Sequence, residues 1–382
     1  MGFSHTQLGI LTSVAGWVTQ FGFLISIFLT DRFSKRRMMT FAMALNGLAG
    51  FALSTFPPFG VMLVIFGVFA VCVDMLCWPN VLKAIRLLGD SGAQGRLFGG
   101  LEMGRGVLEM IVNFAALGIM GLLGNGLFGL KGAIWFYSGC SFVLALLAWL
   151  FIEDDEIAKV KASAAEKNKQ AFEGIKTVLK NKDIWLVAFN VFLIYCVFCG
   201  MSYFAPFLNN VYALPAAFAS AYYIINSMGL KLLGGPIAGF CADKLTHSAV
   251  KFIRIALGVV AVTLTIFVLF PHESGKVSIY VAMLWILVVN SAVFCSRAIY
   301  FAPMDEIQVP REYTGSAMAL GSMIGYLPGA FMKLIYGWIL DAYAGLSGYR
   351  IVFIIMVVFA VLGMVSSTFV VKAINRQKEA GA

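Results

Sequence analysis

The sequence predicts an all-α membrane protein made of two helical bundles, with about eleven helices crossing the bilayer. Three observations lead there. Of the 382 residues, 60% are hydrophobic and 12% charged, whereas a soluble domain carries roughly 25% charged residues. Mean hydropathy is +0.88, and a chain this apolar cannot cover a water-facing surface, so most of its solvent is lipid. Finally, a charged fragment recurs: Asp31-Arg32-Phe33-Ser34-Lys35-Arg36-Arg37 closes one apolar segment, and Gly239-Phe240-Cys241-Ala242-Asp243-Lys244 closes another just over 210 residues later. A basic hairpin between hydrophobic spans, present in both halves, marks a duplicated membrane protein.

Each span follows from length, since a hydrocarbon core of about 30 Å needs about 20 apolar residues in a helix. The first runs over Leu8–Thr30 and stops at the first basic hairpin. Met38–Phe56, Pro58–Pro79, Gly99–Leu122 and Lys131–Ile152 complete the first half. Glu153–Asp183 is the one long hydrophilic stretch, with seven Lys and seven Asp or Glu. It reads as a cytoplasmic linker, and Phe172, Ile175, Val178 and Leu179 recur in it at the spacing of an amphipathic helix braced against the membrane. The second half supplies Ile184–Leu208, Phe218–Ala242, Lys251–Phe270, Val277–Ala302, Thr314–Leu340 and Ile351–Val371. The expected domains are therefore 1–152, the linker 153–183, and 184–382.

Charge fixes orientation. The loops after the first, third, fifth, seventh and ninth spans, with the first turn of the eighth span and the C-terminal tail, hold 21 of the 28 Lys and Arg residues; the opposite loops and span edges hold three, Lys131, Lys276 and Arg350. Basic residues collect on the cytoplasmic side, which places the C-terminus there and Met1 outside, in a multi-pass protein of the cell membrane. The net charge of +9 is spent on topology and no basic face with interleaved aromatics forms, so nucleic acid is not an expected partner. Seven cysteines lie in or at the edge of apolar segments, and Cys196-Val197-Phe198-Cys199 reads as small apolar filler rather than a redox or zinc pair. Three histidines, His5, His247 and His272, form no metal set. No nucleotide loop and no nucleophile–base constellation is present, so neither a cofactor nor an enzymatic activity is expected.

Ionisable residues inside spans cost about 2.5–3.5 kcal/mol each on insertion scales and default to a functional reading. Here they are Asp74, Glu102, Arg105, Glu109, Lys231, Arg297 and Lys333. Glu102, Arg105 and Glu109 share one helix face, and Arg105 can pair with either acid. Glu109 sits near mid-span and is a candidate proton carrier, with Glu102 and Asp74 as further acids of the same kind; a structural ion pair is the alternative. Lys231 falls near the centre of its span among Gly229, Gly234, Gly235 and Pro236, where snorkelling is hardest, and is the leading substrate contact. Arg105, Arg297 and Lys333 join it. The basic members leave positive potential, which suits an anionic solute such as a carboxylate or sugar acid. Trp78, Tyr195, Tyr203, Tyr222, Tyr223 and Tyr326 offer stacking and hydroxyl contacts for a sugar-like body. Asp74 and Arg297 stand a few residues before Pro79 and Pro303, and either gate across the repeat axis or pair locally.

At these residues the chain resembles the major facilitator superfamily, whose signature after its second helix is Gly-x-x-x-Asp-Arg-x-x-x-Arg-Arg. Asp31, Arg32, Arg36 and Arg37 match it, with Ile27 in place of the glycine; Gly239, Asp243 and Lys244 match in the second half. The match of the first span to the family's second helix implies twelve helices with the first missing from this sequence; a genuine eleven-helix protein is the alternative. Pro79 with Gly100-x-x-x-Gly104 repeats as Pro303 with Gly321-x-x-x-Gly325, small pairs that let helices approach closely, either as a sliding interface or as plain packing. The resemblance implies secondary transport of a small molecule by alternating access, coupled to protons or a counter-anion, by a monomer in the lipid bilayer, with the matched Asp, Arg, Gly and Lys residues forming a cytoplasmic gate. Organophosphate exchangers of that superfamily use an arginine on the seventh helix, which Ile184–Leu208 lacks. A drug or metabolite efflux porter and a transporter-like solute sensor are the alternative readings.

Overall fold

The computed structural model describes residues 3–81, 94–124, 126–152, 178–272, 278–307 and 314–380, with the backbone alone at 23, 24, 27–32, 94–100, 102, 305, 314–316, 318, 319, 378 and 380. Among these residues all regular structure is helical. The chain divides into two compact units, in the main Gln7–Glu166 and Lys167–Ala382. Nine helical stretches among the described residues are long and apolar enough to cross a membrane. Each of the eleven expected spans overlaps one or more helices.

The first unit contains α1 (His5–Arg32), α2 (Lys35–Leu53), α3 (Phe59–Ala70), α4 (Gln94–Leu122) and α5 (Leu127–Phe151). Ser34 caps α2, its hydroxyl accepting from Arg37 N at 3.4 Å. Helix α3 runs on as a wide π turn, Val71–Cys77. The α2–α5 seam is built from small residues. A methyl group on Gly47 would lie 2.7 Å from the Phe142 ring, and one on Gly50 would collide with the Ser138 hydroxyl. Within hydrocarbon such close approach is what holds helices together, because burial of apolar surface between helices gains little from lipid. Asn46 Nδ2 donates to Ser141 Oγ at 2.9 Å and Trp135 Nε1 to Ser54 Oγ at 2.8 Å across the same seam.

The second unit contains α6 (Lys182–Gly200), a 3₁₀ turn at Met201–Tyr203, α7 (Phe204–Tyr212), α8 (Ala216–Ile224) and α9 (Leu230–Phe240), then α10 (Ala249–Leu269), α11 (Ile279–Ile299), α12 (Pro303–Glu306), α13 (Thr314–Gly325), α14 (Pro328–Ala342) and α15 (Leu346–Ala380). Two further π turns, Ile225–Gly229 and Cys241–Thr246, lie on either side of α9. Pro328 at the first turn of α14 breaks the tenth expected span into α13 and α14, which places Tyr326 in the gap. Asn190, 2% exposed, bridges α6 to α15, donating to Gly363 O and Ser367 Oγ at 2.9 Å each. Phe207 centres the aromatic core near the α6–α7 end, with the rings of Tyr212, Phe267, Tyr349 and Phe353 around it.

The linker residues 153–177, and with them Phe172 and Ile175, lie outside the described residues. Val178 is buried and Leu179 exposed.

Candidate functional site

In the first unit the intramembrane charges collect where α1, α3 and α4 meet. Arg105 Nη2 lies 3.3 Å from Glu109 Oε1, one turn along α4. Its guanidinium stacks on Trp78, 4.4 Å from the ring centroid. Of the two acids expected to compete for Arg105, Glu109 is seen paired with it; the side chain of Glu102 lies outside the described residues. Asp74 stands on the π turn after α3, with Thr19 Oγ1 of α1 at 2.6 Å from its Oδ2. The charge of Arg105 also acts on Asp74. Asn113 Nδ2 donates to Glu109 O at 2.6 Å, and Tyr137 Oη donates to Asn113 Oδ1 at 2.7 Å, so a polar chain leads from α4 to α5. A cavity of about 320 Å³ adjoins it, with Asn46, Tyr137, Ser138 and Ser141 on its wall.

In the second unit the expected basic residues are distributed over three helices. Arg297 of α11 lays its guanidinium on Phe198 of α6, 4.2 Å from the centroid. The charges of Lys333 of α14 and of Arg297 both act on Cys199 near the end of α6. Tyr203 Oη donates to Lys333 O at 2.8 Å. Beside them an aromatic wall forms. Tyr195 and Tyr326 have ring centroids 5.2 Å apart, Tyr195 and Phe198 5.3 Å, and Tyr300 Oη donates to Tyr326 Oη at 2.9 Å. The wall depends on a glycine: a methyl group on Gly329 would sit 3.2 Å from the Tyr195 ring. Lys231 is half-buried at the start of α9, directly after the π turn Ile225–Gly229. Asn226 on that turn is 1% exposed.

Several aromatics expected to face a solute have other partners. Trp78 carries Arg105, Tyr203 binds the Lys333 carbonyl, and Tyr222 Oη donates to Met283 O. Asp74 and Arg297 each have local contacts, with Thr19 and Phe198 respectively. Thr19, Phe198 and Tyr300 were not singled out in the sequence, because a threonine, phenylalanine or tyrosine in an apolar run carries no signal of its own.

At the basic hairpins, Arg36 stacks on Trp149 of α5 at 4.2 Å. The side chains of Asp31 and Arg32 lie outside the described residues, and Arg37 contributes its backbone N–H to the Ser34 cap. In the second half Asp243 and Lys244 occupy the π turn Cys241–Thr246, and among the described residues a methyl group on Gly239 would meet no atom within 4 Å. That turn ends at His247, whose φ of 51° reverses the chain into α10. Glu306 holds the junction, accepting from Ser248 Oγ at 2.6 Å and Ala249 N at 2.5 Å. The second small pair has evident packing roles: Gly325 closes on Val191 of α6 and Gly321 on Met304, 2.9 Å from an added methyl. Among the described residues, a methyl group on Gly104 would meet no atom within 4 Å. Among the described residues no group of three His, Cys, Asp or Glu is placed to hold a metal ion.

Apolar helical spans in two units, with intramembrane charges inside each, define a polytopic membrane protein of the transporter class. Its sequence matches the profile of the Major Facilitator Superfamily over residues 1–332. The chain belongs to that superfamily. It is 41% identical over 376 residues to inner membrane protein YihN of Escherichia coli (strain K12), covering 98% of this chain and 89% of that one. It is 30% identical to inner membrane protein YqcE of the same organism, covering 96% and 85%. Among solved structures it resembles a bacterial homologue of the human lysosomal transporter Spinster, with a TM-score of 0.74 at 14% identity over 97% of this chain and 90% of that one. That last likeness is one of fold.

Proposed function

We propose that this secondary transporter carries a small organic anion, a carboxylate or sugar acid, by alternating access, with proton or counter-anion coupling through the acids Asp74, Glu102 and Glu109. The observation that carries the reading is the Arg297 guanidinium lying on Phe198 of α6 beside the Tyr195–Tyr326–Tyr300 wall. Arg297 and Lys333 supply an anion with charge, and the tyrosines supply flat apolar faces and hydroxyls for its body. Lys231, half-buried on α9, is the third basic contact, and Arg105 the fourth.

The gate residues Asp31, Arg32, Arg36, Arg37, Gly239, Asp243 and Lys244 belong to the cytoplasmic face by the distribution of Lys and Arg, as does the C-terminus. Contacts there that form in one state and break in the other supply the bistability alternating access requires. The working unit is a single chain.

A thermal-shift screen of the purified protein against small carboxylates, sugars and sugar acids tests the substrate class. A ligand that binds the folded state alone stabilises it by about 2.7 kcal/mol at 100 times its Kd. The expected result is an upward shift with acids, absent with the neutral sugars, and lost in Lys231→Ala while its helical content is unchanged. Stabilisation by lipophilic cations in place of acids would replace this reading with that of an efflux porter.

A further inference from the structure

We propose that Cys72 and Cys77 form a binding site for a soft, two-coordinate divalent metal ion of the mercuric kind, made by the π turn that follows α3, and that the bound ion clamps this turn. Both thiols are free, and both stand on the turn Val71–Cys77. The hydrogen bond that closes the turn runs from Trp78 N to Val73 O, five residues back. In such a turn residues five apart stack on one face. In an α-helix they would differ by about 140° around the axis and about 7.5 Å along it. The packing agrees with the stacked arrangement. Cys72 is fully buried, and Cys77 packs against the same apolar cluster, which Ala42 and Met43 of α2 and Ala145 of α5 complete. Asp74, two residues beyond Cys72, makes its contact with Thr19 of α1 instead.

Distance decides what the thiol pair can hold. Side chains stacked in this way stand about one helical turn apart, roughly 5 Å. A disulfide needs Cβ atoms about 3.8 Å apart, closer than stacking allows. A metal ion about 2.3 Å from each of two sulfurs spans about 4.6 Å in a linear S–metal–S unit, which fits. Charge and donor number decide which ion. A structural zinc takes four ligands, whereas among the described residues no group of three His, Cys, Asp or Glu is placed to hold a metal ion. Thiolates prefer soft ions. Two thiolates and a divalent ion sum to zero, while a monovalent ion would leave a negative charge among apolar side chains. The Met43 thioether in the same cluster adds a third soft sulfur as a weak neighbour.

Binding needs no oxidant. Cys77, the half-buried thiol, meets the ion first, and Cys72 closes the bridge. Each thiol gives its proton to water, two sulfur–metal bonds form, and two protons leave for each divalent ion bound. An ion held by both sulfurs keeps them on one face. The segment then cannot return to a regular α-helix while the ion is bound, and Asp74 is fixed in its place on the turn.

X-ray absorption of mercuric ion, added at one equivalent to the purified full chain, counts its sulfur neighbours. The parent for the test is Cys196→Ala/Cys199→Ala, because those two buried thiols lie three residues apart on α6 and would compete. Alanine keeps both positions small and apolar, and circular dichroism checks that the helices remain. The expected result is two sulfur neighbours in a near-linear arrangement in the parent, falling to one in Cys72→Ala and to one in Cys77→Ser. The thermal unfolding midpoint should rise with the ion in the parent and stay unmoved in either variant. One sulfur neighbour in the parent, or two that survive Cys77→Ser, overturns the site. Two sulfur neighbours without a rise in the midpoint overturns the clamp. Should Cys72→Ala lose helical content, Cys77→Ser at the half-buried position decides the matter by itself.

Discussion

Glu306 closes the N-terminus of α10 from 57 residues away. Its Oε1 accepts from Ala249 N at 2.5 Å, while Oε2 accepts from Ser248 Oγ at 2.6 Å. Ser248 is itself the cap of α10, its hydroxyl accepting from Lys251 N at 3.4 Å. The acid therefore ties the π turn bearing Asp243 and Lys244 to the short helix α12.

Removing this tie should destabilise the second unit. In Glu306→Ala the first donors of α10 lose their partner and a negative charge leaves the positive end of the helix, a loss of about 1–2 kcal/mol. Glu306→Gln should retain part of it. Denaturant unfolding of the purified protein checks both, and an alanine variant as stable as the wild type would show that water replaces the carboxylate without cost.

The stability of the protein should fall in mild acid through His272. This residue lies between α10 and α11, 5% exposed, with Nε2 2.8 Å from Phe267 O and Nδ1 2.6 Å from Tyr212 Oη. The contact to a carbonyl puts the hydrogen on Nε2, so Nδ1 accepts from Tyr212. Burial holds the imidazole below its ordinary range and the Arg350 charge acts in the same direction, against the Phe267 carbonyl. The unfolded chain therefore takes up its proton first, near pH 6.5 or about there. The stabilising contribution is complete above that pH and is lost progressively below it, down to the lowered folded value. Thermal unfolding midpoints should drop between about pH 7 and pH 5 in the wild type and drop less in His272→Gln.

Gly325→Val should disrupt the crossing of α6 with α13. The added methyl groups would run into the Val191 side chain, where the glycine now makes room. Overpacking of this kind costs about 1–3 kcal/mol. Gly104→Val, at a position open among the described residues, should leave unfolding of the purified protein unchanged.

Trp78→Leu should loosen Arg105 without breaking its ion pair. A cation over an indole face is worth about 0.5–2 kcal/mol. The expected result is a stability loss in that range together with a larger one in Trp78→Leu/Glu109→Gln, since the arginine then loses the indole face and the carboxylate together. Equal losses in the single and double variants would mean that Glu109 does nothing to hold the guanidinium.

What the sequence made legible was the part that depends on local runs. Spans such as Pro58–Pro79 and Lys251–Phe270 announce themselves because a bilayer demands uninterrupted apolar helix, and the isolated charges Asp74, Arg105, Lys231, Arg297 and Lys333 stand out against that background. Partners were less legible. Thr19 and Asp74 are 55 residues apart, and Asn190 reaches Ser367 across 177; nothing local distinguishes either polar residue from its neighbours. Trp78 and Tyr222 were read as surfaces for a solute, yet each is occupied by Arg105 or a backbone carbonyl. An aromatic residue in a lipid-facing helix has many uses, and only three-dimensional neighbours choose between them. Glu306 lay outside the apolar runs and so escaped a search for charges within them.

The wide turn Val71–Cys77 has an evolutionary corollary. A π turn accommodates an extra residue in an α-helix, and each residue turns the chain by about 100° around the axis. A relative lacking that one residue would keep the same span, the same hydropathy and the same topology, yet its acid would point to a different neighbour. Changes in length by a single amino acid, invisible to any tally of composition, thus offer transporters of this architecture an inexpensive way to rewire which carboxyl meets which hydroxyl.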